Sequence, residues 1–209
     1  MYPASEMFQR LVQSPMREFD TKVIINGVEH GSNEVVEWDI VETITESESY
    51  TIGNAIPTKF ELKLYTQSIF PPNAEMKPYI RLIGSGYDSG YTEWIPLGVF
   101  YVDSRKESEG GIWEFVCYDK LMQANQPWET ELYLPATMKE VIEEICDMLE
   151  IGICPDTVIR SYEVPLMTHE FTMRQVIGYI AACHGANARI NKDGCLEFVE
   201  CKQLKGGWY

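Results

Sequence analysis

Residues 93–119, EWIPLGVFYVDSRKESEGGIWEFVCYD, decide how the rest of the chain is read. The β-formers Trp94, Ile95, Val99, Phe100, Tyr101 and Val102 crowd the first half, and residues 112–118 form an equally apolar return. Gly110-Gly111 supplies the turn, and the charged segment Ser104 to Glu109 reads as the connection leading into it. On the return strand Trp113, Phe115 and Cys117 share one face, while Ile112, Val116 and Tyr118 share the other. A strand with one wet face alternates apolar and polar residues. This hairpin does not, so it is expected to be covered on both sides and to sit at the centre of a β-domain.

Working upstream, Phe19 to Ile25 and Val28 to His30 flank Asn26-Gly27, the strongest short hairpin signal in the chain. Residues 34–45 (EVVEWDIVETIT) read as a long strand with Val36, Trp38, Ile40 and Ile44 on one face. Lys59 to Tyr65 alternates, with Phe60, Leu62 and Leu64 inward. Pro71-Pro72-Asn73 breaks the chain before a strand from Pro78 to Ile83, and GSGYDSGY (84–91) reads as a loop. At the start, residues 4–13 place Met7, Phe8, Leu11 and Val12 on one helical face with Ser5 as cap.

Downstream the grammar changes. Residues 119–125 suggest a helical turn, and Gln126-Pro127-Trp128 a linker. Thr137 with Glu140, and Thr172 with Gln175, are capping boxes opening two helices with apolar stripes. Residues 186–191 and 195–200 around Lys192-Asp193-Gly194 form a closing hairpin. The helix starts TMKEVIEEI (137–145) and TMRQVIGYI (172–180) echo each other. Two copies with unlike flanks point to shared helix-start grammar, not a repeat array.

The expected fold class is therefore α+β: an N-terminal antiparallel β-barrel or sandwich, then a small α/β domain with two capped helices and a C-terminal β-hairpin. The expected division is a helical arm at 1–18, a β-barrel domain at 19–124 and a small α+β domain at 125–209.

With 45% hydrophobic and 12% aromatic residues in 209, the chain can bury a real core. No apolar run reaches the roughly 18 residues that cross a membrane, so no membrane insertion is expected. The N-terminus lacks a basic start followed by an apolar block, which places synthesis and folding in the cytoplasm. A formal charge of −15 without clustered Lys or Arg argues against specific nucleic-acid binding. Seven carboxylates (Glu29, Glu34, Glu37, Asp39, Glu42, Glu46, Glu48) lie in 28–58 without one Lys or Arg. They read as a solubilising face, or as a surface that repels a negative partner or meets a basic one.

Catalytic and metal constellations do not assemble from the sequence, so no catalytic, cofactor or metal residues are assigned, no cofactor is expected, and the chain is read as a non-enzyme. Cys117, Cys146, Cys154, Cys183, Cys195 and Cys201 contain no Cys-x-x-Cys and read as reduced structural residues. His184 follows Cys183 on a helix, where neighbouring side chains point about 100° apart, so it reads as a helix C-terminal cap. His30 and His169 lack ligand partners at i+2 or i+4. Gly84-x-Gly86 lacks the spacing and following helix of a phosphate loop, and Asp88, Asp103, Asp156 and Asp193 lack calcium-loop spacing.

In order, IPLGVFYVDS (95–104), WEFVCYDKLMQANQPW (113–128), TMKEVIEEIC (137–146), TMRQVIGYIAACHGANARI (172–190) and DGCLEFV (193–199) resemble the N-terminal part of siphophage and prophage tail-tip proteins. This is the baseplate-hub or tail-associated family. YTIGNAIPTKFELKL (50–64) fits the same layout. The resemblance implies a virion tail component that forms a homo-oligomer, a trimer around the tail axis. It would contact other phage tail proteins and link the tail tube to host-contacting parts. Family members are longer, so the chain is expected to be a short form or the front of a hub. In a tail channel the acidic 28–58 segment could line the wall and avoid DNA phosphates. Two other readings stand beside this one. A carbohydrate- or receptor-binding module would use the twelve tyrosines and five tryptophans, and a cell-wall hydrolase or protease module would need a tight Cys/His/Asp or His/His/Glu cluster.

Overall fold

The computed structural model describes residues 3–44, 51–84, 89–108, 110–165 and 170–200. Their architecture is α+β and predominantly antiparallel. The chain divides into two compact units, Met1–Ile40 with Lys59–Tyr118, and Val41–Thr58 with Asp119–Tyr209.

The first unit begins with α1 (Glu6–Val12). Ser5 caps it by accepting from Phe8 N at 3.1 Å, while Ser5 N and Oγ donate to the Glu93 carboxylate at 2.5 and 2.7 Å. Those donors hold the Glu93 carboxyl below the ordinary range. The helix is thus tied to the rest of the first unit.

The sheet comprises β1 (Glu18–Ile25), β2 (Val28–Gly31), β3 (Val35–Val41), β4 (Lys59–Tyr65), β5 (Glu75–Gly84), β6 (Gly90–Tyr91), β7 (Ile95–Pro96), β8 (Phe100–Ser108) and β9 (Ile112–Tyr118). Its order is β2-β1-β5-β8-β9-β4-β3, with β6 and β7 also on β5. Asn26 (φ 48°) and Gly27 (φ 84°) make the tight β1–β2 turn that their sequence demands. The inner face gathers Val23, Ile25, Phe60, Leu62, Leu64, Met76, Phe100 and Phe115 into one core. The Phe60 and Phe100 rings lie 5.0 Å apart, and Phe70 meets Phe115 edge-on at 5.4 Å.

Closure into a barrel, expected from the strand count, is not formed by the ladders among the described residues: the path ends at β2 and at β3. The physical reason is length. β2 has four residues and covers only Lys22 to Ile25 of β1. Since only residues 32–34 separate β2 from β3, the sheet curls and its two ends approach.

Four expectations for residues 93–119 and 34–45 change. The first strand of the hairpin is split. β7 pairs β5 at Tyr79↔Pro96 and β8 pairs it at Met76↔Phe100, with the break at Gly98 (φ 148°), where a Cβ would meet the Phe100 ring at 2.6 Å. The charged segment from Ser104 belongs to β8 as far as Ser108, not to a loop, because a bulge after Val102 lets it continue the ladder with β9. The hairpin is buried on one face only. Phe115 and Cys117 are inside, whereas Ile112, Val116 and Tyr118 are half-buried beside β4 residues such as Glu61 and Lys59. The strand read from 34–45 ends at Val41, and residue 45 lies outside the described residues.

The second unit holds a 3-10 helix (Lys120–Asn125), β10 (Ala136–Thr137), α2 (Met138–Leu149), β11 (Glu163–Val164), α3 (Met173–Cys183), β12 (Ala186–Ile190) and β13 (Leu196–Glu200). Both capping boxes form as read. Val141, Ile142, Ile145, Val176, Ile177 and Leu196 are among its fully buried residues. Residues 41–58, read as part of the β-domain, belong here. Gly53 N donates to Ala186 O at 3.0 Å and Ala188 N to Asn54 O at 2.8 Å, adding residues 53–55 alongside β12. The division falls at Tyr118/Asp119 and not at 125. Gln126-Pro127-Trp128 is no free linker either. Met173 N donates to Gln126 O, Trp128 N to Phe171 O, and Trp128 Nε1 to Glu144 at 2.8 Å.

Gly178 on α3 makes this packing possible, because a Cβ there would lie 2.4 Å from Gly53 O. In an exposed helix Gly→Ala stabilises by about 1 kcal/mol. Here Gly178→Ala is expected to reverse that sign and lose about 1–3 kcal/mol in urea unfolding, as an overpacked contact does. An unchanged or higher midpoint would contradict the close approach.

Candidate functional site

The residues weighed as chemical candidates are dispersed. His184 is the C-cap of α3, with Nδ1 2.7 Å from Ile180 O and Nε2 accepting from Arg160 N at 2.8 Å. Both ring nitrogens are engaged in holding the helix end, and Cys183 beside it is exposed. His30 is buried on β2, edge-on to Phe70 at 5.7 Å, with Nδ1 3.4 Å from Glu34 Oε2. That separation is ion-pair range, but neither ring nitrogen makes a hydrogen bond among the described residues. Asp103 is exposed at the β8 bulge, while Asp156 and Asp193 lie in turns. Among the described residues no three His, Cys, Asp or Glu side chains come together as metal ligands. Burial pushes the Cys117, Cys146 and Cys154 thiols up to about 12, which keeps them protonated. Gly86, Asp88, His169 and Cys201 lie outside the described residues.

The acidic run of 28–58 is not one face. Glu29 meets Lys22 at 2.7 Å, Glu37 meets Lys63 at 2.6 Å, and Glu42 pairs with Arg189, which also holds Glu197 at 2.5 Å. The Lys63 ammonium holds the Glu37 carboxyl below its ordinary range, and Lys63 is raised in turn. Cations absent from the run are supplied by Lys22 across the β1–β2 hairpin and by Lys63 and Arg189 from later strands. Glu46 and Glu48 lie outside the described residues.

Two recesses mark the first unit. One, of about 210 Å³, lies among Glu37 to Asp39, Glu61 to Lys63 and Glu114 to Val116. The other, of about 370 Å³, is an open groove lined by Phe19, Thr21, Trp38, Asp39, Ile40, Ile80 and Leu97, where β1 and β3 face each other. A separate ladder on β1, β5 and β6 stacks cations on rings. Arg81 lies 3.9 Å over Tyr91 and 4.2 Å over Trp94, Lys22 lies 4.7 Å over Trp94, and Arg81 also pairs with Asp20 at 2.7 Å.

The sequence marks Asp119 as the point where the chain changes character, but not as a buried carboxyl. Its carboxylate accepts from Thr58 N at 2.8 Å and Leu121 N at 2.9 Å while almost wholly buried. The only signal was its place as cap of a short helix. Burial pushes this carboxyl up to about 7, against the two amides that favour the charged form.

With these features in place, the comparisons define a class of fold. No family model and no curated protein sequence matches the chain. Its fold is that of solved phage tail proteins. One is the 43 kDa tail protein of prophage MuSo2 from Shewanella oneidensis, at 11% identity and a TM-score of 0.58, covering 91% of this chain and 58% of that one. Another is the tail protein from Neisseria meningitidis MC58, at 12% identity and a TM-score of 0.56, covering 86% of this chain and 50% of that one. The chain thus spans about half to three-fifths of the length of these proteins, and at such identity the likeness is one of fold.

The folded pKa of Asp119 exceeds its unfolded value of about 4, so the folded state holds the proton more tightly. Its stabilising contribution is complete below about pH 4 and is lost as pH rises through about 7. The unfolding free energy is therefore expected to fall between those limits with a slope approaching about 1.4 kcal/mol per pH unit from this group. Subtracting the Asp119→Asn profile isolates it. A carboxyl carbon resonance titrating below pH 5 would contradict the assignment.

Proposed function

We propose that the chain is a structural, non-catalytic component of a phage or prophage tail, located in the virion after synthesis in the bacterial cytoplasm. The observation that carries this reading is the shared fold with two phage tail proteins along 91% and 86% of its length. The ordered run of motifs from 95 to 199 points the same way, and it favours the tip or baseplate hub within the tail.

In that role the chain assembles with copies of itself, three around the tail axis, and with other tail proteins, linking the tail tube to host-contacting parts. Two features suit an assembling part. The sheet ends in strands whose outer edges have no ladder partner among the described residues. Large apolar side chains also stand exposed, with Met16 at 89% and Tyr133 at 98%.

Size exclusion with mass measurement, of the chain alone and mixed with proteins encoded beside it, tests the proposal. The expected result is a mass of three 24.0 kDa chains, or a stable complex with a neighbouring tail protein. A strictly monomeric chain that also ignored its encoded neighbours would refute it.

A further inference from the structure

The groove between β1 and β3 has a form that goes beyond a tail assignment and does not depend on it. Among the described residues β3 ends the sheet, so one of its edges has no ladder. On β1, pairing with β2 stops at Lys22, leaving Glu18 to Thr21 without a ladder on that side. Two open backbone edges therefore border one groove. Its floor is apolar, formed by Phe19, Trp38, Ile40, Ile80 and Leu97. Phe19 remains 44% exposed there although its neighbours at Val23 and Ile25 are sealed.

We propose that this groove accepts an extended strand from a different polypeptide, with apolar side chains on one face and Lys or Arg at the alternate positions. The added strand completes both open edges through main-chain hydrogen bonds, and its apolar face covers Phe19, Trp38 and Ile40. Its other face looks outward, where period-two alternation places Glu18 and Asp20 on the open stretch of β1, before Lys22 where β2 begins, and Glu37 and Asp39 at the middle of β3, between Val35 and Val41. Asp20 and Glu37 already hold Arg81 and Lys63. Glu18 and Asp39 are exposed at the rim. Opposite charges on adjacent strands attract and like charges repel. A second copy of this chain is a poor occupant for that reason, since antiparallel pairing of β3 with its own copy would set Glu37 and Asp39 against carboxylates.

The test uses a labelled seven-residue peptide alternating Lys with Val or Ile, and a counterpart with Glu in place of each Lys, titrated into the whole chain by fluorescence anisotropy. The basic peptide is expected to bind at least about tenfold more tightly, as a few cross-strand charge pairs provide. It should slow hydrogen exchange of amides in 18–21 and 36–40. Asp39→Lys, an exposed change checked for folding by circular dichroism, should weaken it about tenfold, and Trp38 fluorescence should shift on binding. Equal binding of the two peptides, or protection confined to other strands, overturns the proposal. So does self-association that protects the same amides without peptide, because the occupant is then a second copy.

Discussion

The arrangement depends on how a buried carboxylate is satisfied where two distant stretches meet. Strands β4 and β9 pair from Tyr65↔Ile112 down to Lys59↔Tyr118, and the next residues in each direction are Thr58 and Asp119. Asp119 N still donates to Thr58 O at 3.2 Å, so the backbone pairing of these two stretches continues at Thr58 and Asp119. There the Asp119 side chain takes the Thr58 and Leu121 amides, replacing ladder bonds that would otherwise lapse. A buried amide left unpaired costs about 1–3 kcal/mol, so a carboxylate that accepts two of them offsets part of its own desolvation. One residue turns a strand into a helix start while keeping both chains in register.

The same economy recurs at Glu144. Its carboxylate accepts from Trp128 Nε1, Thr130 Oγ1 and Glu131 N, fastening the segment after the 3-10 helix onto α2. Asn187 does the corresponding job for residues 51–54, accepting from Asn54 N at 2.9 Å and donating to Thr51 O at 2.9 Å. The second unit is thus closed by polar side chains that reach backbone groups of irregular segments, with the apolar stripes of α2 and α3 beneath. Such bonds fix where a segment lies more than they add to net stability.

Legibility followed the range of the interaction that sets each feature. Capping boxes, the Asn26-Gly27 turn, the alternation of β4 and the helix stripes are decided within a few residues, and all are visible in the sequence. The placement of 41–58 is decided by Gly53 against Gly178 and by Asn54 against Asn187, more than a hundred residues apart, and no local pattern announces it. The carboxylates of 28–58 looked unaccompanied because their cations, Lys63 and Arg189, arrive through sheet pairing and hairpin packing. The one-sided burial of β9 escaped for a related reason. Its outer apolar residues are set beside Glu61 and Lys59 by a register that the strand alone does not encode.

The open sheet follows from these constraints too. A barrel closes only if its end strands are long enough to reach each other along the whole seam. Here the tight Asn26-Gly27 turn and the short connection at 32–34 confine β2 to four residues, so the seam is sealed beside Val23 and Ile25 and left open beside Phe19 and Thr21. Unpaired edges are ordinarily blunted by charge or by strand brevity, and both devices appear, in the carboxylates of β3 and the shortness of β2. Neither covers Phe19. A carboxylate-lined edge repels its own kind and attracts a basic strand. The charge that disfavours pairing of this one edge with its own copy thereby also sets which partner the seam admits.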